Sequence, residues 1–98
     1  MITISSRVEQ KILDKHDVTV QEVHESFLNR SGDFVLNERE HHWTWPPTFW
    51  FIAETDHRRV LKIVFIEEDD ETITLKTAYE PNRKEKDIYA AKCRWNSP

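Results

Sequence analysis

The chain has 98 residues, of which 33% are charged and 38% hydrophobic, and its formal net charge is −4. This length suits one domain with one small core, and no apolar run approaches the roughly 20 residues of a membrane-spanning helix. The single glycine excludes glycine-rich phosphate-binding loops and the nucleotide cofactors that such loops hold. No cofactor is predicted.

The single cysteine, Cys93, excludes an internal disulfide, and we interpret it as a packing residue. The first residues lack the cationic and then apolar order of a secretory signal. Together these features predict a protein of the reducing cytoplasm.

Two short helices are predicted near the start of the chain, after a short strand at residues 2–4. The sequence SRVE at 6–9 has the form of a capping box with Ser6 as the N-cap, and its helix ends near His16. A second box, TVQE at 19–22, begins the next helix.

From residue 34 onward the spacing of apolar residues changes from that of helices to that of strands. The connections are short, and the acidic run EEDDE is interpreted as the solvated tip of a hairpin. Without its five acidic residues the chain has 14 basic and 13 acidic residues, so its body is nearly neutral. The predicted strands are 34–36, with 39–44 as a candidate continuation, and then 48–55, 59–66 and 72–79.

The last predicted element is a helix that opens at residues 80–82, where Pro81 suits the first turn. Ile88, Ala91 and Trp95 form its predicted buried stripe. The fold class predicted is α+β, with two N-terminal helices, an antiparallel meander sheet of about four or five strands and a C-terminal helix.

Strand alternation divides the sheet residues between two faces. Phe49 and Phe51 are assigned to the face under the N-terminal helices. An unpaired buried lysine is costly, so the lysines of the other face are expected to be solvated or paired with Glu54. This leaves two interpretations, an exposed polar face or a shallow cationic groove that suits phosphates. The other face collects Trp50, Glu54, Lys62, Thr74 and Lys76.

The run HHWTWPPTFWF at 41–51 is rich in aromatic residues. Trp43, Trp45 and Trp50 are interpreted either as parts of the core or as contacts to a partner, since tryptophan stacks on bases and anchors protein interfaces. The adjacent histidines His41-His42 point to opposite faces of a strand, so no metal site is predicted.

Two long stretches resemble BrnT-like toxins: KILDKHDVTVQEVHESF at 11–27, and FIAETDHRRVLKIVFIEEDDETITLKTAYEPNRKEKDIY at 51–89. The resemblance covers most of the chain and implies a single domain over 1–98 with a compact RelE-like fold. It also implies endoribonuclease activity and an antitoxin partner. RNA and a second copy of the chain are further candidate partners. PPTFWFIAETD at 46–56 and KTAYEPN at 76–82 are similar to short bacterial proteins often labelled ADP-ribosyl-(dinitrogen reductase) hydrolase.

Cleavage of RNA by attack of its 2′-hydroxyl needs a base, an acid and cations around the developing negative charge. Within the resemblance, Lys62 and Lys76 would stabilise that charge, Tyr79 or His16 would transfer protons, and Arg83 would hold a phosphate.

Two positions differ from the family pattern. Asp17 stands where the family has glycine, and it tolerates the left-handed conformation that such a turn requires. Tyr79 stands where the family's last strand usually has arginine, and alternation places it on the face under the N-terminal helices. The alternative function is a catalytically silent protein-binding module that docks through its tryptophans.

Overall fold

The computed structural model describes residues 1–37, 46–69 and 71–93. Its helices and strands confirm the α+β class, with two N-terminal helices, a five-stranded sheet and a C-terminal helix. The elements are β1 (Ile2–Thr3), α1 (Ser6–His16), α2 (Val20–Asn29), β2 (Val35–Leu36), β3 (Thr48–Glu54), β4 (Val60–Glu67), β5 (Ile73–Tyr79) and α3 (Arg83–Cys93). The candidate strand at 39–44, the pair His41-His42 and Trp43, Trp45 and Trp95 lie outside the described residues.

The ends of the first two helices are set by capping residues next to them in the chain. Ser5, one residue before the predicted Ser6, is the N-cap of α1 and accepts a hydrogen bond from the Val8 amide. The predicted capping box of α2 is confirmed, because Thr19 and Glu22 each accept a bond from the other's backbone N–H. Asp17 ends α1 in the left-handed conformation with φ 53°, as expected for a residue in place of glycine.

The sheet has the strand order β1-β5-β4-β3-β2. Strands β2 to β5 form the predicted antiparallel meander. The short β1 adds to β5 in parallel, with Ile2 opposite Ile73, so the complete sheet is mixed rather than antiparallel. Parallel neighbours need a long crossover, and here the two helices and three strands between β1 and β5 supply it.

A β-bulge interrupts the pairing of β4 with β5. Leu75 lies opposite Phe65, and two residues later Thr77 lies opposite Val64. Lys76 is therefore the extra residue, and every side chain of β5 after it changes face relative to simple alternation.

The helices cover both faces of the sheet. On one face, α2 packs against the core through Phe27, whose ring centroid lies 4.8 Å from that of Phe51. Phe51 is fully buried and Phe49 packs against the core, as predicted. On the other face, α3 contacts Trp50 through Tyr89, with 5.4 Å between their ring centroids.

The stripe predicted for α3 is wrong at Ala91, which is exposed, whereas Ile88 is partly buried against the core. The buried residues of the helix are Glu85 and Tyr89. Residues four apart lie on one face of a helix, so one glutamate and one tyrosine share the face that meets the sheet. A carboxylate can lie there because the sheet presents a lysine to it.

Candidate functional site

Lys62 of β4 lies beneath α3 with only 8% of its surface exposed. Its Nζ atom is 2.6 Å from Oε2 of Glu85. The expectation of a solvated Lys62, or of a pair with Glu54, is therefore wrong. The reason is that the last helix covers this face and brings its own carboxylate to the ammonium group.

Glu85 holds α3 to the sheet and also starts the helix. Its Oε1 accepts the Asn82 N–H at 3.0 Å, while Asn82 Oδ1 accepts the Glu85 N–H at 2.8 Å. This reciprocal pair is a capping box that the sequence analysis missed, although Asn82 and Glu85 have the required spacing. Burial raises the pKa of Glu85, but hydrogen bonds from Lys62, the Asn82 N–H and Tyr79 outweigh burial and hold that pKa below its ordinary value.

Tyr79, at the end of β5, lies directly opposite Lys62 and donates its hydroxyl proton to Glu85 Oε2 at 2.8 Å. The prediction that Tyr79 faces the N-terminal helices is wrong, because the bulge at Lys76 reverses the alternation. The ring of Tyr79 lies 5.7 Å from Lys62 Nζ. The ring of His16, at the end of α1, has its centroid 5.5 Å from that of Tyr79.

Trp50 forms one wall of this assembly. Lys62 Nζ lies 4.6 Å from the centroid of its ring, within the range of a cation–π contact. Trp50 lies on the face predicted for it, but it is 7% exposed and so is mainly a core residue. We call Lys62, Glu85, Tyr79 and Trp50 the Lys62 cluster.

A pocket of about 200 Å³ opens beside the Lys62 cluster, between β2 and α3. Its polar lining includes Lys62 and Glu85, and the hydrophobic side chains of Leu36 and Ile88 lie on its walls. The pocket shows that α3 does not pack continuously on the sheet at this point.

Arg59 is a second centre of polar contacts, which the sequence analysis did not identify. Its Nη1 atom donates to the Asp17 carbonyl at 2.6 Å and to Glu22 at 3.1 Å. Nη2 donates to the His16 carbonyl at 3.0 Å, and Nε to Glu80 at 3.1 Å. One guanidinium thus ties together the end of α1, the start of α2 and the segment after β5.

Charges in this second centre stabilise one another. Burial raises the pKa of Glu22. The hydrogen bonds from Thr19 and Arg59 and the charge of Arg59 lower it by more, so the pKa lies below its ordinary value. Burial lowers the pKa of Arg59, and its two carboxylate partners more than reverse this. No local sequence pattern reveals this centre, because its partners are distant in the chain.

A shallow depression runs from Arg59 across Glu80 and Tyr79 to His16 and Lys15. Tyr79 is partly buried and lines this depression as well as belonging to the Lys62 cluster. His16 is half-buried there, and Arg59 holds it in place through its carbonyl rather than through its ring.

The remaining predicted site residues that the structure describes lie apart from the Lys62 cluster. Lys76 is exposed in the bulge, and Arg83 is exposed on α3, where it pairs with Asp87 at 3.1 Å. Glu54 lies at the end of β3, and its carbonyl accepts a bond from Asn29. Trp43 and Trp45 lie outside the described residues.

The assembly places a phenol, a carboxylate, an ammonium and an imidazole next to one another. Within the described ranges, no three His, Cys, Asp or Glu side chains come together as metal ligands. In the same ranges, no helix has the length and apolar character needed to span a membrane.

No model of a known protein family matches the chain, and no curated protein sequence matches it.

Proposed function

We propose that the chain is a toxin-like protein of a type II toxin–antitoxin pair that cleaves RNA at the Lys62 cluster. The observation that carries the proposal is the convergence of three residues assigned to RNA cleavage from the sequence. His16 of α1, Lys62 of β4 and Tyr79 of β5 are far apart in the chain, yet the His16 ring and Lys62 Nζ lie 5.5 and 5.7 Å from the Tyr79 ring.

In this proposal the side chains divide the work of a cleavage that uses no metal. The His16 imidazole takes the proton of the 2′-hydroxyl as this oxygen bonds to phosphorus, and the Tyr79 hydroxyl gives a proton to the leaving 5′-oxygen as its bond to phosphorus breaks. Lys62 stabilises the negative charge that develops on the phosphate. In the free chain, Glu85 Oε2 accepts hydrogen bonds from both Lys62 Nζ and the Tyr79 hydroxyl.

The partners follow from the same proposal. The substrate is RNA in the cytoplasm, and a small antitoxin protein neutralises the activity. The exposed Lys76 and Arg83 would contact the RNA backbone outside the Lys62 cluster, where a lysine or arginine adds affinity without sequence preference.

A second candidate function is a catalytically silent protein-binding module of the same fold. Two observations favour it. The Lys62 charge is buried and neutralised by Glu85, and the net charge of −4 opposes binding of a polyanion. In this case the Lys62 cluster only fastens α3 to the sheet.

The test is induced expression in a bacterial host, followed by growth measurement and by mapping of RNA 5′ ends. We expect new 5′ ends with the wild-type chain and their loss in His16→Gln and Tyr79→Phe. His24→Gln is the matched control, since His24 is exposed on α2 and lies outside the depression. Tyr79→Phe keeps the ring and removes only the hydroxyl.

Two results would count against the nuclease. Intact RNA after induction of the wild-type chain would leave the binding module as the function. New 5′ ends that persist in both His16→Gln and Tyr79→Phe would place the active site elsewhere on the molecule.

A further inference from the structure

We infer that the first half of α3 is a cover that masks Lys62, with Glu85 as its latch, and that RNA reaches Lys62 only when this half-helix moves away. The inference rests on the proposed function for the role of RNA. The masking itself is a property of the free chain and can be tested without any RNA.

The argument begins with the two anchors of α3. Glu85 and Tyr89 are the buried residues of the helix. Tyr89 is fully buried, contacts Trp50, and donates its hydroxyl to the Asp33 carbonyl at 2.8 Å. The second half of the helix is thus held by a large apolar contact, and the first half by an ion pair.

The contact beneath the first half combines the Glu85 ion pair with one partly buried apolar side chain, Ile88. A pocket of about 200 Å³ lies beside that ion pair, so part of the space between the helix and the sheet is unfilled next to the lysine. Segments with few apolar contacts open at a lower free energy than the core strands. Local opening is therefore expected in the turn that contains Glu85.

Glu85 couples the cover to the helix start. The same carboxylate pairs with Lys62 through Oε2 and caps the helix through Oε1. When the carboxylate leaves Lys62, the ammonium loses its counter-ion, and the first turn loses part of its restraint. An RNA phosphate can take the place of Glu85 as the partner of Lys62, because it repels the carboxylate and pairs with the ammonium.

The experiment is pulsed acetylation of lysines in the folded protein, read by mass spectrometry. Exposed Lys11 is the internal reference. We expect Lys62 to react slowly in the wild-type chain, and about tenfold or more faster relative to Lys11 in Glu85→Gln, since local opening governs its access. Asp87→Asn is the matched control, because it removes an acidic group from the exposed side of the same helix.

Three outcomes would overturn the inference that the first half of α3 covers Lys62. Lys62 that reacts as fast as Lys11 in the wild-type chain is not masked. A folded Glu85→Gln that leaves Lys62 slow shows that Glu85 is not the latch. An Asp87→Asn variant with the same acceleration shows a general loosening of the helix.

Glu85→Gln leaves a buried ammonium without its partner, so the variant can fail to fold. Native-state hydrogen exchange on the wild-type chain then decides the matter. Amides 87–89 that exchange faster than those of β3 and β4 support a local opening, whereas exchange of all of them only through global unfolding overturns it. A masked Lys62 together with intact RNA after induction would refute the proposed function and leave the cover in place.

Discussion

The only glycine of the chain is needed for space rather than for backbone conformation. A Cβ atom on Gly32 would lie 2.5 Å from the Tyr89 hydroxyl oxygen and 2.9 Å from the ring carbon that carries it. Tyr89 cannot retreat easily, because it is fully buried between Trp50 and the Asp33 carbonyl. We therefore expect Gly32→Ala to lower the free energy of unfolding by about 1–3 kcal/mol, the usual cost of overpacking.

Urea denaturation followed by circular dichroism measures this effect, and a double-mutant cycle identifies its cause. Tyr89→Phe removes the hydroxyl that makes the closest contact, and by itself costs about 1 kcal/mol for the lost hydrogen bond. In the Tyr89→Phe background, Gly32→Ala should cost less than in the wild-type chain. Strictly additive losses would contradict a clash between these two residues.

Arg59 and its neighbour Arg58 form a natural pair for comparing a structural arginine with an exposed one. Arg59 donates to two carbonyl groups and two carboxylates, and lysine cannot reproduce this planar fork. We expect Arg59→Lys to cost about 1–3 kcal/mol of unfolding free energy, because it leaves carbonyl groups unsatisfied.

Arg58→Lys is the matched control, since Arg58 is exposed and the change keeps its charge. Thermal unfolding should distinguish the two variants clearly. Equal midpoints would show that the Arg59 contacts add no stability beyond that of a surface charge. Glu80 contributes little to the expected difference, because its side chain is 64% exposed.

At the scale of elements, α3 depends on a carboxylate whose stabilising effect changes with pH. The pKa of Glu85 in the folded protein lies below its ordinary value of 4.5. A lowered folded pKa contributes stability that is fully present above the unfolded pKa and is lost as pH falls through the folded pKa. Near neutral pH, Glu85→Gln should therefore cost about 3–5 kcal/mol, as for one broken partner of a buried pair.

The difference between wild type and Glu85→Gln should shrink as pH falls below 4.5, since the protonated wild-type carboxyl resembles the amide. Urea denaturation of both chains near neutral pH and in acid measures this difference. The exposed Asp87→Asn should show no comparable change. A difference that stays constant into acid would mean that the Glu85 charge is not what stabilises α3.

The elements that follow local rules were predictable from the sequence. The capping box of Thr19 and Glu22, the turn at Asp17 and the alternation in β3 and β4 all depend on residues that are close in the chain. The two N-terminal helices and the main strands were therefore correct within about one residue, whereas α3 begins at Arg83, after the predicted opening at 80–82. The parallel β1 was placed as a strand, but its partner β5 follows about 70 residues later and no local pattern identifies it.

The site itself depended on features that local patterns do not contain. One extra residue, Lys76, turns Tyr79 to the other face, and nothing in the sequence of β5 marks the bulge. The pairing of Lys62 with Glu85 joins residues 23 positions apart, and a polar residue on the inner face of α3 contradicts the apolar pattern that predicts burial. The sequence therefore identified Lys62 as unusual but could not name its partner.

At the scale of the whole molecule, the distribution of charge matters more than the total. The hairpin between β4 and β5 carries Glu67, Glu68, Asp69 and Glu71, and the last three are exposed. Asp69 accepts the N–H groups of Glu71 and Thr72 at 2.8 Å and so shapes the turn, which lowers its pKa. Glu68 accepts the Thr74 hydroxyl at 3.2 Å, and the amide oxygen of glutamine can accept the same bond, so Glu68→Gln removes the charge without removing this contact.

The molecule measures 30 × 30 × 24 Å, and comparing these dimensions with the electrostatic screening length shows how much of the surface the acidic hairpin influences. The screening length is about 30 Å at 0.01 M salt and about 8 Å at 0.15 M. At low salt the hairpin therefore repels a polyanion anywhere on the surface, whereas at higher salt it repels only a polyanion that lies near it.

We expect Glu68→Gln/Glu71→Gln to bind RNA more tightly than the wild-type chain at 0.01 M salt and equally well at 0.15 M. Fluorescence anisotropy with a labelled, 2′-O-methylated RNA oligonucleotide measures binding without cleavage. A gain in affinity that is the same at both salt concentrations would mean that the hairpin contacts RNA directly, and the assignment of binding to the distant Lys62 face would then fail.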